Sequence, residues 1–522
     1  MDFGLALVVA PRAGFFGRAL AAVRFAAVRF VLDRFMPALY SSGAAASIRA
    51  WSAGPLGTYD PAFMILDRAT IFALHWAAVL VHQADEGRFA TVGLDVVLNV
   101  AAIAVLVRPT SLVRLGALCA VQLLGAAIAF PYVTNHLLLM TAVDGMILCA
   151  LVVRFSAPRD ASDDARAGVV AAIAPPARAA LVLVYAFGAF AKLNADFLDP
   201  DLSCAPALLG RIRGLLPALP MPGERTAIWA TVGVEVALPL LLLGRRTWRA
   251  GIALGGALHL LLALAGLFEF AAVGLALYTL YLPADLALRV PLARTLPSTR
   301  RGGSLVVIGV AATVCYALMH SWRLEAVARV LPALAASSPS GRLAGLLWLP
   351  LGAGSLGALV RLVQARPDAH ASPRGGPAAA AAWAVTLLVA LNGLAPYVGL
   401  KTEASYTMFS NLRTEGGLWN HLILPVDVRI FALQNDLVRP LDASDAWLRA
   451  RARAGERLVF LGFHHYASRR PELRVRYERA GEVREVERVA LDPLLSRPVP
   501  YLLRKLLWFK PVPSDGRNAC QH

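Results

Sequence analysis

Lys192 is the residue whose type and place best suit it to chemistry. It stands in GAFAKLNADFLDPDLSCA, residues 188–205, where an apolar run gives way to a polar loop. Of the 51 basic residues only four are lysines: Lys192, Lys401, Lys505 and Lys510. The exception to the arginine bias is informative. Arginine keeps its proton in proteins, whereas a desolvated lysine can release it and act as a base. Two readings stand side by side. Lys192 is a general base at the mouth of a membrane helix, or an ammonium that snorkels to the headgroup region.

Further ionisable side chains fall inside apolar runs: His75, His82, Asp95, His136, Asp144, Glu235, His259 and Glu269. Charge within a membrane is costly, so each marks function or pairs with a partner across helices. In TNHLLLMTAVDG, His136, Met140 and Asp144 share a helix face, with Asn135 beside them. Antiparallel neighbouring helices place His136 and Lys192 at one depth. Glu235, in VGVEVALPLLLL, is the expected neutraliser of a buried cation. His259 lies in ALHLLLALAGLFEF and reads as a site residue or a packing histidine. His75 and His82 read as polar packing. His464 and His465, taken as strand residues, point to opposite faces and share no metal. The chain has no HExxH, CxxC, GxSxG, P-loop or dinucleotide fingerprint, which removes the usual support for hydrolase, kinase or dehydrogenase chemistry.

These groups need a scaffold, and composition names it. The 522 residues are 58% hydrophobic and 16% charged, where a soluble domain carries about 25% charged residues. Apolar runs near 68–83, 91–107, 112–130, 136–154, 178–197, 226–244, 250–266, 269–286, 303–320, 343–362 and 377–397 approach the length of a crossing helix. They predict a polytopic all-α membrane bundle of about 9–11 transmembrane helices. The net charge of +17 does not point to nucleic acid, because the arginines gather in short loops. Arg108 and Arg114, Arg154 and Arg159, Arg245 and Arg246, Arg300 and Arg301, and Arg366 fall on one side if the N-terminus is cytoplasmic. The C-terminal region is then extracytoplasmic. No cleavable signal peptide is evident, and 15–40 reads as a basic interfacial helix. Composition and the lack of eukaryotic sorting signals fit a bacterial inner membrane.

Three regions follow: a cytoplasmic segment 1–60, the bundle 61–397 and a small β-rich extramembrane domain 398–522. In the last, ERLVFLGFHHYAS reads as strand and ELRVRYERAGEVREVERVAL as a hairpin turning at Ala480-Gly481. LLSRPVPYLLRKLLWF closes it with a short helix. Regions 156–176 and 364–377 read as loops. Cys119, Cys149 and Cys315 fall in spans; Cys204 and Cys520 face the outer side, and their pairing stays open.

Four stretches together resemble the HTTM (horizontally transferred transmembrane) superfamily, which includes the vitamin K-dependent gamma-carboxylases. They are TNHLLLM, KLNADF, HLLLALAGLFEF and SYTMFSNLR at 405–413, within a resemblance covering residues 15–415. The resemblance implies a membrane lysine, here Lys192, that deprotonates a reduced quinone cofactor, with His136 and His259 near the reaction. Asn411 stands where the carboxylases carry a further histidine, and the tail is much smaller than their lumenal region. The implied activity is therefore lysine-dependent membrane chemistry rather than glutamate carboxylation.

Two functions are carried forward. One is a membrane enzyme acting on a quinone-like or other lipid-soluble substrate, with Lys192, His136 and His259 catalytic. Asn135, Asp144, Asn411 and Arg413 then contact substrate, and no metal is used. The other is a non-catalytic multi-pass protein whose outer domain binds a lipid or protein partner. The expected surroundings are membrane lipids, and the oligomeric state is open.

Overall fold

The structure, a computed structural model, describes residues 63–84, 92–156, 165–215, 220–291 without Asp285, parts of 354–360, and 376–520 without Leu418, Val426 and Asp427. The chain divides into two units, Met1–Met64 with Arg289–Ser298, and Ile65–Leu288 with Thr299–His522. The first lies almost wholly outside the described residues, and the following concerns the second. The interfacial helix at 15–40, the span at 303–320, Cys315 and most of the span at 343–362 also fall outside.

Among the described residues the chain is mostly helical up to Leu394. In order come α1 (Arg68–Ala84), α2 (Val92–Val107), α3 (Leu112–Ala129), α4 (Asn135–Ser156), α5 (Ala165–Ala191), α6 (Cys204–Leu215), α7 (Glu224–Leu243), α8 (Trp248–Leu264), α9 (Phe268–Tyr278) and α10 (Pro377–Leu394). Among the described residues five of these, α3, α4, α5, α7 and α10, are long and apolar enough to cross a membrane. Helices α1, α2, α8 and α9 occupy other expected spans but are shorter. Their inward faces pack into one cluster, with Trp76, Leu98, Leu118, Met140, Ile147, Leu181, Leu238 and Ile252 among its buried members. Outward leucines such as Leu240, Leu243, Leu387 and Leu388 stay exposed on α7 and α10, as a lipid-facing surface requires.

Helix α5 departs from the expectation of a loop at 156–176 and a span at 178–197. It starts at Ala165, runs through Pro175 and Pro176, and stops at Ala191. Proline removes a ladder donor, so a break is expected there. The helix nevertheless continues, and side-chain donors bond carbonyls beside the prolines. Thr386 of α10 donates to the Pro176 carbonyl at 3.0 Å and Arg178 to the Ala174 carbonyl at 3.1 Å. Lys192 consequently sits just past the helix end.

The C-terminal region carries a five-stranded antiparallel sheet of β1 (Leu437–Ala443), β2 (Glu456–Val459), β3 (Val475–Arg479), β4 (Glu482–Val486) and β5 (Val512–Pro513), in the order β4-β3-β1-β2-β5. Helix α11 (Ala446–Arg453) follows β1 and is capped by Asp445, whose carboxylate accepts the Trp447 and Leu448 N–H groups. The hairpin turns at Ala480-Gly481 as expected, both residues having positive φ, as a two-residue turn matched to strand twist requires. The short closing helix is α13 (Tyr501–Leu506). The strand expected across ERLVFLGFHHYAS is only half right. It ends at Val459, and Phe460–Ser468 forms helix α12. The reason is the period: Phe463 and Ala467, four residues apart, face the core with Leu448, Val475 and Tyr477. His464 and His465 are therefore neighbours on a helix.

Cys204 and Cys520 form a disulfide between α6 and the tail, 316 residues apart. The backbone supports it, since Cys520 N donates to the Leu202 carbonyl at 3.1 Å. Replacing both cysteines by serine is expected to cost about 2–5 kcal/mol of stability. Thermal unfolding in detergent checks this: reductant should bring the unaltered protein down to the variant and leave the variant unmoved.

Candidate functional site

Lys192 owes its position to the end of α5. Tyr185, Gly188 and Lys192 lie on one face of this chain segment. Burial leaves the Lys192 side chain 5% exposed. Its Nζ donates to Glu235 Oε2 at 2.7 Å, to the Met408 carbonyl at 3.1 Å and to the Gly188 carbonyl at 3.4 Å. Three acceptors meet the three N–H donors of an ammonium, and the Phe197 ring lies 5.7 Å away. Glu235, from α7, is thus the neutraliser that the sequence suggests. Glu235 packs against the backbone of Gly188: a Cβ there would lie in ordinary contact with Glu235 Oε2, at 3.4 Å.

Two turns inward on α5, Tyr185 begins a second buried group. Its hydroxyl is hydrogen-bonded to His259 Nε2 of α8 and, at 2.7 Å, to the Tyr278 hydroxyl of α9. Glycine permits this close packing. A Cβ at Gly274 would collide with the His259 ring, and one at Gly255 with the Tyr278 hydroxyl. His259 Nδ1 is buried without a hydrogen-bond partner among the described residues. The Phe270 ring lies 5.0 Å from the His259 ring. The neighbouring Glu269 Oε2 is 3.8 Å from His136 Nε2, which also meets the Thr134 hydroxyl at 3.0 Å. Lys192, Glu235, Tyr185, His259 and Tyr278 therefore run inward from one end of the bundle, with His136 and Glu269 beside them.

Over this end passes a strap, residues 401–421. Its backbone takes positive φ at Ala404, Tyr406, Phe409 and Asn411. Side chains from the bundle pin it at close intervals. Asn392 donates to the Ala404 carbonyl at 2.9 Å, Tyr406 N donates to Asn135 Oδ1 at 2.6 Å, and Asn194 donates to the Ser410 carbonyl. Asn135 and Lys192 thus bind strap residues two positions apart, which places the N-terminal end of α4 and the C-terminal end of α5 together. Asn411 spends its amide within the cap. It donates to the carbonyls of Leu202 and Asn518, each at 2.8 Å, and accepts from Cys204 N at 3.0 Å. Arg413 is 1% exposed and reaches the Pro513 carbonyl at 3.3 Å. Asp144 lies elsewhere, deep in α4, accepting from Trp76 Nε1 at 2.8 Å. Sequence reasoning passed over Tyr185, Tyr278 and Trp76. Each is an aromatic in an apolar run, and only its hydrogen bond distinguishes it from core.

The strap is electrically strained. Burial lowers the Lys401 ammonium from an ordinary 10.5 to about 8. Burial also lowers the Arg413 guanidinium, against the attraction of Glu415, and raises the Glu403 carboxyl, against the attraction of Lys510.

No protein-family model, curated protein or solved structure matches the chain.

Two outcomes follow from this geometry. Lys192→Met and Glu235→Gln should each cost about 3–5 kcal/mol by stranding a buried partner, and the double variant clearly less than their sum. Denaturant unfolding of all four proteins in detergent measures that coupling. For Lys401 the folded state holds its proton less tightly than the unfolded state. Its contribution to stability is full above pH 10.5 and lost as pH falls through about 8. Lys401→Met should therefore raise the melting temperature below pH 8, and the gain should vanish as pH climbs between the two values.

Proposed function

We propose that this chain is an HTTM-like multi-pass membrane protein in which Lys192 and Glu235 form a proton-transfer centre for a lipid-soluble, quinone-like substrate. The N-terminus is cytoplasmic, the bundle holds about 9–11 spans, and the C-terminal domain is extracytoplasmic on the membrane of a bacterium. The observation that carries this reading is the 2.7 Å hydrogen bond between Lys192 Nζ and Glu235 Oε2 in a buried site. Transfer of one proton along that bond turns an ammonium–carboxylate pair into an amine and a carboxylic acid. Rotation about the Cε–Nζ bond then turns the amine lone pair from Glu235 to a substrate hydroxyl, whose proton it accepts, while Glu235 holds the proton that Lys192 gave up. Tyr185 and Tyr278 are hydroxyl donors in a dry environment, where they stabilise developing negative charge on oxygen. His259 Nδ1, without a partner among the described residues and beside the Phe270 ring, suits a flat apolar ring bearing an oxygen. A reduced quinone would supply an acidic hydroxyl there.

The experiment is aerobic turnover of a reduced naphthoquinone by the purified protein in lipid, in which dissolved oxygen oxidises the quinolate formed at Lys192, followed by oxygen uptake and product chromatography. Lys192→Arg retains the cation and its pairing with Glu235 but supplies no neutral amine. Turnover should fall by about 100-fold or more with the fold intact. Unchanged turnover would remove Lys192 from the base role.

A second reading has its own observation. All three N–H donors of Lys192 are taken up, as a structural clamp between α5, α7 and the strap would have them. Under that reading Lys192→Arg folds normally and the protein does not turn over the quinol.

A further inference from the structure

Apolar side chains stand exposed on the C-terminal region, outside every span. Leu502 is 68% exposed and Leu506 56%; Leu422 and Ile423 are near 60%; Ile430 is 75% and Phe431 43%. On a free soluble domain such patches are rare. Leu491 and Val483 are exposed elsewhere in the region, but these three pairs share a feature. Each pair is tied by hydrogen bonds to the C-terminal end of a different span-length helix.

Helix α13, carrying Leu502 and Leu506, is anchored to α3. Lys505 Nζ donates to the carbonyls of Ala127 and Ile128 at 3.1 and 3.0 Å, and Trp508 meets Tyr132 edge-on at 5.5 Å. Leu422 N donates to the Leu193 carbonyl at 2.9 Å, just past α5. Ile430 N and Phe431 N both donate to the Val398 carbonyl, at 3.1 and 2.9 Å, just past α10. The strap joins these ends to one side of the bundle through Asn392, Asn135 and Lys192.

From this we infer that the C-terminal region is seated in the lipid leaflet, through an apolar collar formed by α13, Leu422–Ile423 and Ile430–Phe431. The inference rests on the reading of the helical part as membrane-spanning. The occupant is a phospholipid surface, and two further features select it. Tyr132 and Trp508 pair at the end of α3, the depth at which aromatic side chains gather in membrane proteins. Basic side chains flank the apolar ones: Arg504 and Lys505 on α13, with Arg469 and Arg470 acting on Tyr132. Apolar groups below and arginines level with the phosphates are the chemistry of an interfacial segment. A protein partner would have to sit within the headgroup layer to cover the same residues.

The test uses the full chain in proteoliposomes. Leu502→Cys and Leu422→Cys are each labelled with an environment-sensitive fluorophore, and lipids brominated at shallow acyl positions serve as quencher. Val483→Cys, exposed in the distal hairpin, is the solvent control, and the unsubstituted chain is the labelling blank. Leu387→Cys, exposed on α10, reports on the span itself with deeply brominated lipid. The expected result is loss of emission at 502, 422 and 387 with emission at 483 unchanged. Quenching at 387 with none at 502 and 422 overturns the collar and leaves the spans standing. No quenching at 387 overturns the membrane reading and the collar with it.

Discussion

The architecture turns on satisfying the carbonyl groups of a loop that cannot satisfy its own. Between Ala404 and Asn411 four non-glycine residues hold positive φ, at about 1–3 kcal/mol each. Such a path forms neither helix nor ladder, yet it is largely buried against the bundle. Its carbonyls need donors brought from elsewhere, and an unmet one is expensive. Asn392, Lys192 and Asn194 come from the helical part, and Asn518 and Lys510 from the tail. The strap thereby gathers the ends of α4, α5 and α10 and the last strand of the sheet into one knot.

That demand gives Lys192 a double duty. Its ammonium meets the strap through Met408 and meets α7 through Glu235, so one cation both closes the cap and forms the buried ion pair. Pairs of this kind are weak contributors to stability but strict ones, since neither partner tolerates loss of the other. Glycines on α8 and α9 then decide how near the polar groups come. The Tyr278 hydroxyl fills the space left by Gly255, and the imidazole of His259 fills the space left by Gly274.

How much of this was legible depended on whether the signal was local. Apolar runs revealed the helices, and the break in lysine usage singled out Lys192. The hairpin at Ala480-Gly481 could be read because a left-handed turn and two alternating segments are local facts. Glu235 was identified as a cation's partner because an unpaired carboxylate in such a run has no other good explanation. The proline pair in α5 misled, since the helix continues through it, packed against α10, whose Thr386 lies more than two hundred residues away. The stretch Phe460–Ser468 misled because a short apolar run fits two periods, and its packing against Leu448 and Tyr477 chose one. Asn411 held its role in the tail's carbonyls, which no spacing rule reports. The aromatic hydroxyls around His259 carry no local mark at all.

The tail that clasps the strap has a consequence for biogenesis. Residues 508–520 provide the Trp508 carbonyl, Lys510, Asn518 and Cys520, and all are synthesised after the helices they hold. Chains emerge and fold from the N-terminal side, so the helices can pack with this end of the bundle still open. Closure over Lys192 then comes after synthesis of the helices it covers. A variant lacking residues 508–520 would leave that end of the helices without these partners, a defect that quality-control proteases can recognise.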